Sequence, residues 1–284
     1  MAHSWRVGGR DLSLDPPLIA GVVNVTPDSF SDGGMFLSPP AAIAHARQLL
    51  NDGADILDMG AESTRPGAEP VSADEEWSRL EPVLDGLREL RNEGAVISVD
   101  TTKLDVARRA VEAGAAIIND VSALRHDPGI AELAARTGVG LVLMHMRGTP
   151  RTMQENTRYG DVAGEVRSFL ERALGQAVQA GCDPAQIAID PGIGFGKDLA
   201  GNLELLARIG ELADLGAPVW VGVSRKRFLG DLLGTPPDDR LAGTIAASLE
   251  AVRSGATAVR VHDVREMRHA LTVVRAIQGR REAA

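Results

Sequence analysis

Eight short runs rich in Val, Ile and Leu recur along the chain, at 18–26, 54–60, 96–102, 116–122, 140–146, 187–193, 218–224 and 258–264, and no other feature narrows the fold as much. Each run is apolar on successive residues instead of alternating, the pattern of a strand covered on both faces in a parallel sheet. Amphipathic helical patterns lie between them at 41–51, 73–91, 103–113, 161–180, 203–215, 238–254 and 264–279. Gly53, Gly94, Gly114, Gly181, Gly216 and Gly255 each follow a helical pattern and precede a small residue that opens the next strand, the place of a left-handed helix cap. Ser72 with Glu75 reads as a capping box, and Ser38 before Pro39-Pro40 as an N-cap with proline in the first turn. The unit therefore repeats without a linker or a break in composition. That favours an α/β fold of the (β/α)8 TIM-barrel type over a doubly wound sheet. The barrel is expected to span 18–279 as one domain. Gly8-Gly9 marks a short N-terminal hairpin within 1–17 that closes one end, and 280–284 are left as a tail.

With 284 residues, 44% of them apolar, the chain can fill such a core. Its formal charge of -9 and pI near 5.2 oppose a nucleic-acid surface, so an anionic ligand must be held by a local cluster of cations. The longest apolar runs are strand-sized, which predicts no membrane span, and residues 1–12 lack the apolar stretch of a secretory signal. Cys182, the single cysteine, fits a reducing cytoplasm; it has no basic neighbour in sequence and reads as an inert small residue.

In a barrel, chemistry gathers where the strands end at their C-terminal side. Every run here ends in polar groups: Asn24 after the first, Asp58, Glu62, Thr64 and Arg65 after the second, Asp100 after the third, and Asn119 and Asp120 after the fourth. His145 and Arg147 follow the fifth, Asp190 the sixth, Ser224-Arg225-Lys226-Arg227 the seventh, and Arg260 with His262 closes the eighth. Asp100, Asn119 and Asp190 supply acceptors in an apolar-walled mouth and suit a flat ring with several N–H donors, to which Lys226 can donate in turn. Asn24, Thr64, Arg65, Arg260 and His262 suit an anion such as diphosphate, with the Asn24 amide oxygen available to magnesium. No cluster has zinc-site spacing, and His145, between Met144 and Met146, reads as a packed core histidine.

Two loops and a glycine-rich turn complete the rim. Residues 24–34 and 62–68 carry glycine and proline hinges and read either as plain surface loops or as lids, the first with Phe30 at its middle. The stretch 187–197 runs from an apolar strand through Asp190 into three alternating glycines, Phe195 and Lys197. It is not a Walker loop, because Pro191 stands five residues before Gly196 and Asp198 follows Lys197. Nor is it a dinucleotide fingerprint, whose third glycine would fall on Lys197.

Seven motifs run in order along the chain: Asn-Val-Thr-Pro-Asp-Ser-Phe-Ser-Asp-Gly-Gly (24–34), Glu-Ser-Thr-Arg-Pro-Gly (62–67), Ser-Val-Asp-Thr-Thr-Lys (98–103), Asn-Asp-Val (119–121), Asp-Pro-Gly-Ile-Gly-Phe-Gly-Lys (190–197), Ser-Arg-Lys (224–226) and Arg-Val-His-Asp-Val (260–264). With them the chain resembles the dihydropteroate synthases from residue 18 to residue 264. The resemblance implies a cytosolic transferase of folate biosynthesis that joins 6-hydroxymethyl-7,8-dihydropterin diphosphate to 4-aminobenzoate with magnesium. It implies pterin binding by Asp100, Asn119, Asp190 and Lys226, with Phe195 against the aromatic substrates. It places diphosphate and metal at Asn24, Thr64, Arg260 and His262, and the aminobenzoate, or a sulfonamide analogue, among Phe30, Pro66, Phe195 and Lys226. Arg65, Asp28 and Asp32 fall in the two lids, and a homodimer is implied as well. Asp100, Asp190, Lys226 and Arg260 are then the expected catalytic groups. The chain departs from the pattern at Met59 and Ala61, where many members carry a small aliphatic residue and glycine, and at Arg227, where some carry serine. Two alternatives share parts of this pattern: a sulfonamide-insensitive enzyme of the same reaction, and a pterin-binding methyltransferase module, which lacks the diphosphate-handling first loop and Ser-Arg-Lys.

Overall fold

A computed structural model describes residues 3–26, 38–65 and 67–282. Strands β1 (Ser4–Val7) and β2 (Arg10–Ser13) form an antiparallel hairpin. The repeat begins with β3 (Leu18–Asn24), α1 (Pro39–Asn51), β4 (Ile56–Gly60), α2 (Ala73–Gly86), α3 (Arg88–Asn92), β5 (Val96–Asp100) and α4 (Leu104–Glu112). It continues through β6 (Ile117–Asp120), α5 (Gly129–Thr137), β7 (Gly140–Met144), α6 (Val162–Gln179) and β8 (Ile187–Asp190). The last part holds α7 (Leu199–Ala207), α8 (Ile209–Ala213), β9 (Trp220–Gly222), α9 (Arg227–Leu233), α10 (Leu241–Arg253), β10 (Ala258–Val261) and α11 (Val264–Glu282).

Strands β3 to β10 lie parallel in the order β8-β7-β6-β5-β4-β3-β10-β9. The sheet closes on itself through one parallel bridge, Ile189 to Val219, where Ile189 N–H donates to the Pro218 carbonyl at 2.9 Å. This is the expected (β/α)8 barrel. Its strands carry two apolar faces because each face meets a different core. Leu57, Ile97, Ile118 and Val259 point outward and pack with Leu49, Leu84, Val106 and their helices. Ile56, Val96, Ile117, Ala188 and Ala258 point inward and form the barrel floor with Trp5 of the hairpin and Trp220. The two tryptophans meet edge to face at 6.0 Å, and the Trp5 indole N–H donates to the Gln186 carbonyl at 2.8 Å.

A strand returns to the same face every second residue. Two residues beyond the floor, therefore, stand Asp58, Ser98, Asn119, Asp190 and Arg260, a polar layer stacked on an apolar one. The hydrophobic floor holds this layer at the C-terminal mouth, where the polar ends of the runs point.

The six glycine stops hold the left-handed conformation expected of them, with φ between 81° and 115°. Other ends differ from the sequence pattern. Ser38 makes no side-chain cap, and the two prolines alone start α1. Ser72 accepts the Glu75 backbone N–H at 3.2 Å, but the Glu75 carboxylate turns to Arg79, so only half of the capping box forms. The pattern over 73–91 breaks at Leu87, next to Gly86, where Ile43 of α1 packs so closely that a Cβ would lie 2.1 Å from its Cδ1. That over 203–215 starts earlier, at Leu199 behind the Asp198 cap, and divides at Arg208. The final helix runs on to Glu282. Helix α5, whose Ile130, Leu133 and Ala134 share a buried face, and the short α9 lie outside the helical patterns given above.

Candidate active site

Strand register sets the first row of the rim. Asn24 pairs with Gly60, Gly60 with Asp100, and Asp100 with Asn119. Because Gly60 has no side chain, its two neighbours share the space above it: a Cβ there would lie 3.9 Å from Asn24 Oδ1 and 4.0 Å from Asp100 Oδ2.

One layer deeper, fully buried Asp58 ties the strands together. It accepts from Ser98 Oγ at 2.6 Å, Arg260 Nε at 2.5 Å and Asn119 Nδ2 at 3.5 Å. Arg260 thus keeps its terminal nitrogens for other partners, one of them 3.9 Å from Asp100. The contact through Nδ2 orients the Asn119 amide and leaves its Oδ1 buried and, among the described residues, without a hydrogen-bond partner. A buried carbonyl oxygen in that state calls for a donor from a ligand or water.

The opposite wall comes from the glycine-rich turn after β8. Asp190 is buried and accepts the Gly192 N–H at 2.6 Å. Lys226 donates to the Ile193 carbonyl and places its ammonium 4.4 Å above the centre of the Phe195 ring. Gly222 brings Lys226 and Arg260 together, since a Cβ on it would lie 3.9 Å from Lys226 Nζ and 3.7 Å from Arg260 Cβ. Lys197 faces inward, to the Gly192 carbonyl at 2.8 Å, the Phe195 carbonyl at 3.0 Å and His145 Nδ1 at 3.0 Å. It braces the turn and does not reach for a phosphate.

His262 completes this side. The Ser224 hydroxyl accepts the His262 backbone N–H and lies 2.9 Å from Nδ1. In the tautomer in which that hydroxyl donates to Nδ1, the neutral ring carries its proton on Nε2 and donates from there. Burial, then the charges of Arg260 and Arg225, hold His262 down to about 3. His145 is buried too, edge-on to Phe169 at 4.9 Å, and burial with the Lys197 charge takes it to about 2. It is a core histidine.

Burial governs the remaining titrations. It raises Asp100 well above the usual carboxylate range, with the Asp58 charge adding to it and Arg260 opposing. Asp190 is raised by burial against the pull of Lys226 and the Gly192 N–H. Lys226 is lowered by burial to about 8, although Asp190 supports its charge. Two raised carboxylates, a lowered lysine and an arginine in one mouth have the electrostatics of a functional site.

Comparison with known proteins settles the family. The pterin binding enzyme family matches residues 20–262. The dihydropteroate synthase of Neisseria meningitidis serogroup B is 46% identical over 281 residues, 97% of this chain and 98% of that protein. A Xanthomonas albilineans dihydropteroate synthase solved with 4-aminobenzoic acid superposes with a TM-score of 0.89 at 47% identity, covering 98% of this chain and 99% of the other. The chain belongs to the dihydropteroate synthase family. A further dihydropteroate synthase structure from X. albilineans, in complex with 7,8-dihydropteroate, gives a TM-score of 0.84 at 42% identity over 98% of this chain and 99% of that one.

Of the residues singled out by likeness to the dihydropteroate synthases, Asn24, Asp100, Asn119, Asp190, Phe195, Lys226, Arg260 and His262 line one mouth. Thr64 and Arg65 stand half-buried in the loop that leaves β4. Phe30 and Pro66, with Asp28 and Asp32, lie outside the described residues. Sequence reasoning placed Asp58 at the rim without a role, yet it is the hub that orients Arg260 and Asn119. The available signal was its position, a carboxylate two residues before Gly60 inside an otherwise apolar strand.

Proposed function

We propose that this mouth carries out the dihydropteroate synthase reaction with the roles set out below. The chain is a transferase: it condenses 6-hydroxymethyl-7,8-dihydropterin diphosphate with 4-aminobenzoate, giving 7,8-dihydropteroate and pyrophosphate in folate biosynthesis. The observation that carries the assignment is Asn119 Oδ1, buried and without a hydrogen-bond partner among the described residues, between Asp100 and Asp190. Three acceptors in one mouth match the amino and ring N–H donors of a pterin, and Lys226 Nζ matches its acceptor edge. Phe195, under the Lys226 ammonium, offers a face for the flat substrates to pack against.

Cleavage of the C–O bond sends its electron pair to the diphosphate and leaves positive charge on the exocyclic pterin carbon. Ionised Asp100 and Asp190 stabilise that charge, while the Arg260 terminal nitrogens and His262 Nε2–H receive the anion. The neutral arylamine then forms the C–N bond and releases a proton; an aniline nitrogen needs no strong base for that attack. Phe30 and Pro66, with Arg65, are assigned to the aminobenzoate side, and Thr64 to the diphosphate.

Asn24 Oδ1 and Asp100 Oδ2, both hard oxygen donors, flank the space above Gly60. That fits magnesium, which keeps most of its shell for phosphate oxygens and water and needs few protein ligands. Bound there through Asn24, magnesium would neutralise charge on the diphosphate leaving group. Among the described residues no group of three His, Cys, Asp or Glu side chains could hold a metal by itself. The enzyme is assigned to the cytoplasm, and no described helix is long and apolar enough to cross a membrane. A homodimer is assigned to the face where α7, α9 and α10 adjoin, which exposes Leu203, Leu232, Leu233 and Leu241.

The test is pyrophosphate release from pterin diphosphate and 4-aminobenzoate with magnesium, with and without a chelator and with and without a sulfonamide. Asp190→Ala is expected to abolish binding of 6-hydroxymethylpterin in calorimetry. Unchanged pterin affinity would remove Asp190 from the pterin site, and absence of turnover would remove the reaction.

A further inference from the structure

Lys103 ends the motif 98–103, three residues past Asp100, and nothing in the reaction above uses it. Its ammonium lies 2.5 Å from a carboxylate oxygen of Glu62 and 2.5 Å from one of Glu76. Glu76 stands in the first turn of α2 and is fully buried, while Lys103 and Glu62 are 15% and 20% exposed, so all three are shielded from water. The other Glu62 oxygen accepts the Val71 backbone N–H at 3.2 Å. One carboxylate therefore clips together the two ends of the segment 62–71, the segment that carries Thr64 and Arg65. Arg79 of α2 adds a second tie at the same base, donating to the Ala61 carbonyl at 2.9 Å.

The cluster is poorly explained by stability alone. Two carboxylates share one ammonium, and among the described residues no donor makes a hydrogen bond of normal geometry to Glu76 Oε1. Removing charges from water and leaving one acceptor unpaired is unfavourable, and well-packed apolar side chains commonly serve as well or better. Burial raises the Glu76 carboxyl, against the pull of Lys103. What such a cluster supplies is direction: charge-assisted bonds of fixed geometry between the end of β5, the start of α2 and the base of the loop after β4.

We propose that Lys103, Glu62 and Glu76 form a positioning triad that holds segment 62–71 in the shape that receives the diphosphate and the aromatic amine. The inference rests on the assignment of Thr64 and Arg65 to those ligands. The triad touches no reacting atom and acts through the loop it holds.

Steady-state kinetics on purified Lys103→Met test it, with Lys103→Arg and Thr64→Ala measured beside it. Lys103→Met is expected to raise the KM for 4-aminobenzoate about 10- to 100-fold, the scale of a displaced positioning element. Affinity for 6-hydroxymethylpterin, which reaches only the pterin pocket, should change by less than about twofold. Lys103→Arg, which keeps the charge and can bridge both carboxylates, should recover most of the loss. A purely structural role would instead lower thermal stability and weaken 6-hydroxymethylpterin together with the amine. Should Lys103→Met fold poorly, the double variant Glu76→Leu with Lys103→Met removes the lysine together with its fully buried partner, leaves Glu62 at the rim of the cluster, and should restore the fold without restoring the amine KM. A normal amine KM in that double variant, or in Lys103→Met while Thr64→Ala is impaired, overturns the triad alone. Normal kinetics of Thr64→Ala overturn the role of the loop and the triad with it.

Discussion

At Asp100 burial, like charge and an arginine at 3.9 Å act on one carboxyl group. Burial and Asp58 raise its pKa well above the usual range, and Arg260, 3.9 Å away, limits the rise. Loss of solvation therefore disfavours the ionised form that the reaction requires, and Arg260 is the neighbour that favours it. Asp100→Asn is expected to lower kcat about 100-fold, the order seen when one fixed electrostatic stabiliser is removed. The same change should raise stability at neutral pH. A carboxyl whose folded pKa lies above its unfolded one contributes stability that is present below the unfolded pKa and lost as pH rises through the folded pKa. The amide never ionises and escapes that loss, so its melting temperature at pH 7 should exceed that of the parent, and the difference should shrink in acid. Lys226 makes a complementary prediction. Burial holds it to about 8, so kcat/KM for the pterin substrate should decline on the alkaline side with a midpoint near that value. Lys226→Arg, with a guanidinium that stays charged, should move the decline to higher pH; a decline at the same pH in the variant would assign it to another group.

Among the elements, the turn after β8 shows how a backbone can be selected by close approach. Gly192, Gly194 and Gly196 take φ of 66°, 85° and 66°. A Cβ on Gly192 would lie 1.8 Å from the His145 carbonyl oxygen. Gly192→Ala therefore meets both a left-handed backbone and a clash with main chain, the first alone unfavourable by about 1–3 kcal/mol. It should lower the melting temperature and weaken pterin binding together, because Asp190 is held by the Gly192 N–H; a variant with normal pterin affinity would separate the turn from the site. The glycine spacing and the lysine were legible in the sequence and suggested a phosphate loop that the spacing then excluded. The structure supplies the alternative: buried Lys197 turns to two carbonyls of its own loop, and burial draws its pKa well below the lysine range. On the neighbouring loop, Arg225 sits at φ 58° and is fixed by a two-pronged pair to Asp263, at 2.6 and 3.2 Å. That contact joins residues 38 apart and leaves no trace in local pattern.

For the whole molecule, an overall charge of -9 coexists with a mouth that receives an anion, because Lys226 and Arg260 are gathered at one end of the barrel by β9 and β10. The exposed leucines lie elsewhere, on the adjoining faces of α7, α9 and α10. If those faces pair two copies, Leu232→Glu with Leu233→Glu should shift sedimentation from dimer to monomer. Pterin affinity should survive, since neither leucine belongs to the mouth. A wild-type chain that sediments as a monomer would dispose of the assignment.

The sequence by itself determined the barrel, the left-handed glycine stops and the polar residues at the strand ends. Those features depend on periodicity and local backbone preference, which a few neighbouring residues specify. Only the tertiary structure decided which of the polar groups meet. Asp58 and Arg260 are 202 residues apart in the chain and 2.5 Å apart in space, and Lys103 reaches Glu76 across 27 residues. The strength of such pairs depends on distance through space and on the water excluded around them, and neither quantity is set until the sheet has closed.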